Sequence, residues 1–153
     1  MAFNIEVKQM PARYLAVVKF RAGTSNMGQH MGEAFGAVSA YLASMGQHPA
    51  GPPLALYEPV GDEFDTAAGF PVSAAVVGDG HVVPVEVPAG DFVETEHVGP
   101  YPKLGQAYEA LQTWLKANGR ETNGQLSYEQ YLSDPSTPPA ELRTIVSLPL
   151  KPR

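Results

Sequence analysis

The 153-residue chain contains no cysteine. That absence excludes disulfide frameworks, cysteine nucleophiles and thiolate zinc sites together, and it fits a reducing, cytoplasmic setting. Basic residues are scarce as well: 10 Lys and Arg stand against 16 Asp and Glu, for a formal charge of -6. A nucleic-acid-binding surface is therefore not expected. No apolar run approaches the ~20 residues needed to span a bilayer, and the first residues carry neither a basic nor a long apolar segment. The expectation is a soluble, unexported protein with no membrane contact. The sequence also lacks a P-loop, a serine nucleophile elbow and a dinucleotide fingerprint, so no cofactor is expected. His30, His48, His81 and His97 are far apart without His-x-x-x-His spacing; they read as solvated surface residues, and no metal site is expected.

Apolar residues make up 44% of the chain, enough for one domain with a real core. Glycine and proline, 15 of each, fall singly and in short pairs between apolar runs, which predicts many turns. Phe3, Ile5 and Val7 alternate with polar residues as in a half-buried strand, and Tyr14 to Arg21 reads as a second. Met27, Met31, Phe35, Val38, Leu42 and Met45 then form a helical seam over 26–45, with N-cap oxygens at Thr24, Ser25 and Asn26 and a stop at Gly46. Leu54–Glu58 is predicted as a strand, 61–69 as a polar loop and Phe70–Val77 as another strand. The second half repeats the order. Val83, Val85 and Val87 alternate, Phe92–Val98 reads as a strand, and Leu104, Tyr108, Leu111 and Leu115 make a second seam over 103–118, stopped by Gly119. Leu126–Leu132 and Leu142–Leu150 are predicted strands separated by a loop over 134–139.

Pro11-Ala12 returns as Pro88-Ala89, Gly46 as Gly119, and Tyr57-Glu58 as Tyr128-Glu129, in the same order and at similar offsets. That order points to a duplicated ββαββ arrangement, with half-repeats near 1–78 and 79–153. The predicted class is α+β: a curved antiparallel sheet, two helices on one face, and a ligand cleft between the halves.

Within this frame the residue of most chemical interest is Glu129. Strand alternation puts Glu129 and Tyr131 on one face, with Tyr128 and Gln130 on the other. A carboxylate beside aromatic rings suits an organic cation, since the charge neutralises the ligand while the rings accept its flat apolar body. On the alternation alone, an exposed strand glutamate with tyrosines that pack the sheet is the favoured reading. Met27, Met31 and Trp114 read first as core, and as ligand lining second.

Several segments resemble the GyrI-like small-molecule-binding superfamily, the effector-binding fold of multidrug-sensing transcription activators. They are Leu54 to Tyr57, Asp65 to Val72 with Gly69-Phe70-Pro71-Val72, Pro88-Ala89-Gly90, His97-Val98-Gly99-Pro100-Tyr101, Trp114, the run from Tyr128 to Pro135, and Leu142 to Leu150. The resemblance implies a single domain over 1–153 that takes small hydrophobic or cationic aromatic compounds. It also implies that Glu129 is the central cleft carboxylate, with Tyr57, Phe70, Tyr101 and Tyr131 as cleft aromatics. One departure stands out: the family often reads Asp-x-Glu-x-Gly where this chain has Asp65-Thr66-Ala67-Ala68-Gly69, which predicts weaker selectivity for cations. No helix-turn-helix precedes Phe3, so the expectation is a stand-alone binding protein. Two other functions stay open on the resemblance: a hydrolase of reactive cyclopropane-containing toxins with Glu129 as general base and Tyr131 or Tyr57 as orienting hydroxyl, and a gyrase-inhibiting interaction protein with no defined partner surface.

Overall fold

The computed structural model describes residues 3–124, 126–134 and 136–152. Its strands are β1 (Ile5–Met10), β2 (Arg13–Ala22), β3 (Leu54–Val60), β4 (Glu63–Val72), β5 (Val83–Val87), β6 (Gly90–Val98), β7 (Ser127–Tyr131) and β8 (Arg143–Pro149). Helix α1 (Met27–Ser44) lies between β2 and β3, and α2 (Gly105–Asn118) between β6 and β7. The element order is therefore ββαββ twice, as the sequence repeat predicts, and the class is α+β. Both helices fall where their apolar seams predict. No helix among the described residues is long and apolar enough to cross a membrane.

The chain packs as two compact units: one is Pro11–Ala89, the other joins the chain up to Met10 to the chain from Gly90 onward. In the first unit the strands run β3-β4-β2-β5, and in the second β1-β6-β8-β7, with antiparallel pairing within each. Packing thus divides the chain differently from the sequence repeat. The first strand of each repeat pairs outside its own repeat: β1 with β6, and β5 with β2.

Both helices end in the same hydrogen-bonded stop. After α1, the Gly46 N–H reaches Ala43 O and the Gln47 N–H reaches Leu42 O. After α2, the Gly119 N–H reaches Lys116 O and the Arg120 N–H reaches Leu115 O. Gly46 and Gly119 hold φ of 67° and 61°, the left-handed backbone that this motif needs. At the start of α1, Asn26 spends its side chain outside the helix, accepting the Gly23 N–H at 3.0 Å.

In the Pro11–Ala89 unit, Val38 and Leu42 of α1 are fully buried, while Phe35 is only partly so and leans on Phe70 of β4 at 5.8 Å between ring centroids. Met45 is exposed, because the seam runs past the last helical turn. In the other unit, Leu104, Ala107, Leu111 and Leu115 form one apolar cluster with Val93, Val146, Leu148 and Leu150; Phe3, Ile5, Tyr108 and Trp114 pack against it. Trp114 is accordingly an anchor of helix to sheet.

The reading of 61–77 needs correction. β4 occupies most of the predicted loop and stops at Val72, whereas 73–77 is not strand and Val77 lies in solvent. Thr66, Ala67, Ala68 and Gly69 are buried because β4 is flanked by β2 and β3. At Gly69 a β-carbon would overlap the Ala16 carbonyl oxygen of β2, and a run of small residues resembles a loop in sequence.

Candidate functional site

β7 positions the site. Glu129 pairs with Val146 of β8, and Val146 belongs to the cluster under α2, so the odd-numbered side chains of β7 face that helix. Glu129 is 7% exposed. The Tyr108 hydroxyl of α2 donates to Glu129 Oε2 at 2.5 Å, and the Tyr131 hydroxyl donates to Oε1 at 2.8 Å. Tyr108 Oη also lies 3.4 Å from Ser127 Oγ. Tyr101 begins the 3₁₀ turn Tyr101–Lys103 and meets the Tyr131 ring edge-on at 5.7 Å. It is 43% exposed, which puts an aromatic ring at the outer rim of the group.

Burial pushes the Glu129 carboxyl above the ordinary carboxylate range, against the opposing pull of the Tyr108 and then the Tyr131 hydroxyl bonds. The Tyr101 phenol is raised too, first by burial and then by the Glu129 charge. Among the described residues no Lys or Arg forms an ion pair with Glu129. A glutamate on the opposite face of the same sheet shows the contrast. Glu96 pairs with Arg143 at 2.8 Å, and that bond holds its carboxyl below the usual range. Two tyrosine hydroxyls satisfy the acceptors of Glu129 without neutralising it, so its anionic form stays costly.

Of the five residues expected at the site, Glu129, Tyr131 and Tyr101 come together. Tyr57 and Phe70 belong to the other unit and face α1. The Tyr57 hydroxyl lies 3.7 Å from Met31 Sδ and its ring stands edge-on to Phe64, while Phe70 leans on Phe35. Ala67 faces away from α1, because Thr66 and Phe70 face it. It pairs with Lys19 beside the Arg21–Asp65 bridge, so the missing acid removes a charge from that ladder.

Three polar residues of this unit escape the sequence reading. Tyr108 reads as seam, although a tyrosine in a buried seam needs a partner for its hydroxyl, and that was the available signal. His97, taken as solvated, is 3% exposed and stacks on Phe3 at 6.3 Å. Thr144, 0% exposed, sits in a strand predicted only for its apolar residues. Among the described residues no group of three or more His, Asp or Glu could hold a metal ion. Pro135, the last residue of the run from Tyr128, lies outside the described residues.

The profile of the GyrI-like small molecule binding domain matches residues 3–151. No curated protein sequence matches the chain. Among solved structures, the EcmrR C-terminal domain is similar at a TM-score of 0.79 and 19% identity, covering 99% of both chains. A hydrolase from Listeria innocua gives 0.68 and 17%, covering 97% of this chain and 92% of that one. SAV2435, solved bound to tetraphenylphosphonium, gives 0.64 and 14%, covering 97% and 94%. At such identities these three likenesses speak for the fold.

Proposed function

The chain belongs to the GyrI-like small-molecule-binding family, and from that premise we propose that it captures aromatic organic cations, with Glu129 as counter-charge. The observation that carries the reading is a buried carboxylate held by two tyrosine hydroxyls and lacking a protein cation among the described residues. A cation with a flat apolar body supplies the missing charge, and the Tyr131 and Tyr101 rings receive the body. Tetraphenylphosphonium, bound by SAV2435, is the natural first probe. Titration calorimetry compares it with triphenylphosphine oxide, a neutral aryl compound of similar bulk. Saturable binding of the phosphonium that falls by ~1–3 kcal/mol, tenfold to a hundredfold, in Glu129→Gln supports the reading. Absence of binding by any aryl cation, or an unchanged affinity in Glu129→Gln, refutes it.

A second reading rests on the raised carboxyl itself. A base whose pKa moves toward neutrality is suited to proton transfer, so Glu129 could activate water in a hydrolase. There Glu129→Gln keeps ligand affinity and abolishes turnover, and product analysis separates the two readings.

A further inference from the structure

Among the described residues of the same unit, two buried polar atoms have no hydrogen-bond partner: Thr144 Oγ1 and His97 Nδ1. They are neighbours by register. His97 of β6 pairs with Thr144 of β8, and Thr144 pairs with Tyr131 of β7. Directly opposed β-carbons on one face stand about 4.5–5.5 Å apart, so His97, Thr144 and Tyr131 form one row across three strands. The adjoining row is Thr95, Val146 and Glu129, on the same face toward α2. In that row Thr95 is satisfied, because its hydroxyl donates to Asn4 O at 2.9 Å. The two residues that carry the orphan atoms therefore lie side by side, and they share a row with the tyrosine that holds Glu129. An unpaired buried polar atom costs free energy, and a pair of them on one face, beside an unneutralised carboxylate, points to a bound group that satisfies both.

We propose that Thr144 and His97 form a hydroxyl-recognition subsite of the Glu129 site, so that the preferred ligands carry an uncharged alcohol beside their cationic aromatic body. This rests on the ligand reading given above. A hydroxyl is the group that fits. It donates and accepts at once, so it can bridge Thr144 Oγ1 and His97 Nδ1 whichever imidazole nitrogen carries the proton. A carbonyl or ether only accepts, and matches one tautomer. Burial and the nearby Lys103 charge lower the His97 pKa, which keeps the ring neutral and avoids a second cation against the ligand.

The test measures binding of 3- and 4-(hydroxymethyl)phenyl triphenylphosphonium against their ethylphenyl counterparts, which have the same shape without the hydroxyl. The wild-type protein should prefer at least one alcohol about tenfold, the effect expected of satisfying buried orphan groups. Thr144→Val removes the hydroxyl and keeps the shape. It should collapse that preference while leaving the ethylphenyl affinity unchanged, and Thr144→Ser should restore it. His97→Phe keeps a ring against Phe3 and should reduce the preference too, which preserves the test if a Thr144 variant fails to fold. Binding of the ethylphenyl cations that depends on Glu129, with no preference for either alcohol, overturns this subsite alone. A preference that survives both Thr144→Val and His97→Phe also overturns it, because the alcohol is then held elsewhere. If none of the cations binds, the subsite falls together with the ligand reading.

Discussion

Tyr57-Glu58 and Tyr128-Glu129 are the same dipeptide on the strand that follows each helix, yet the two units turn them opposite ways. On β3 the tyrosine faces α1 and Glu58 is exposed. On β7 the tyrosine packs on the far face against Phe92, and Glu129 is buried toward α2. A slip of one residue exchanges every side chain between faces, so one element order yields two different helix-facing surfaces. In the Pro11–Ala89 unit that surface holds Phe70, Thr66, Tyr57 and the thioethers of Met27 and Met31. In the other it holds Glu129, Tyr131, Thr144 and His97. Duplication supplies the architecture, and register decides which copy carries charge.

The sharpest way to break this comparison is to test whether the units are equivalent in core and different only in site. Leu42→Ala and Leu111→Ala, one under each helix, should each cost ~2–5 kcal/mol in denaturant unfolding. A loss below about 0.5 kcal/mol at either position would show that its helix does not depend on that seam. Gly69→Ala should be comparably damaging, for a different reason. A β-carbon there would overlap the Ala16 carbonyl oxygen, which is backbone and cannot swing aside.

Next in size is the contrast between the two glutamates. Glu129→Gln should weaken aryl-cation binding tenfold to a hundredfold, whereas Glu58→Gln should leave it unchanged. Glu129→Gln also reads in stability. Because the folded Glu129 carboxyl is raised, the native state binds more protons than the unfolded chain between the ordinary carboxylate value and the folded one. Stability contributed at this position therefore falls as pH rises through that window. Glu129→Gln should raise the unfolding midpoint above the window, with the gain closing as pH falls below it. Cation affinity runs the other way, weakening as acid protonates Glu129. A flat Glu129→Gln difference across pH would mean that the carboxylate is effectively solvated.

Much of this is legible in the sequence. Periodicity located both helices, glycine marked both helix stops, and alternation paired Glu129 with Tyr131. What alternation does not supply is the absolute face, because period two relates neighbours and not layers. The burial of Glu129 came through the resemblance, and His97 and Thr144 through neither. Their polarity becomes informative only once β6, β8 and β7 align them in one row, and that alignment depends on pairings distant in the chain. The strand over 63–72 is hidden for a related reason: at Gly69 the Ala16 backbone of β2 leaves no room for a β-carbon, and that contact is distant in the chain.

The smallest expected difference lies in the tyrosine hydroxyls. Tyr57 and Tyr108 both turn a hydroxyl inward, one toward a thioether at 3.7 Å and the other to a buried carboxylate. A hydrogen bond to a charged acceptor contributes about 1.5–3 kcal/mol, whereas a thioether sulfur is a weak acceptor. Tyr57→Phe is the matched removal of a hydroxyl in the Pro11–Ala89 unit. Tyr108→Phe removes one of two donors that favour the ionised carboxylate. The Glu129 pKa should rise further, and the pH at which cation binding fades should move up with it. Calorimetric titrations at several pH values, run on both variants, read that displacement directly. Equal profiles for the two variants would mean that the Tyr108 hydroxyl does not hold the Glu129 charge.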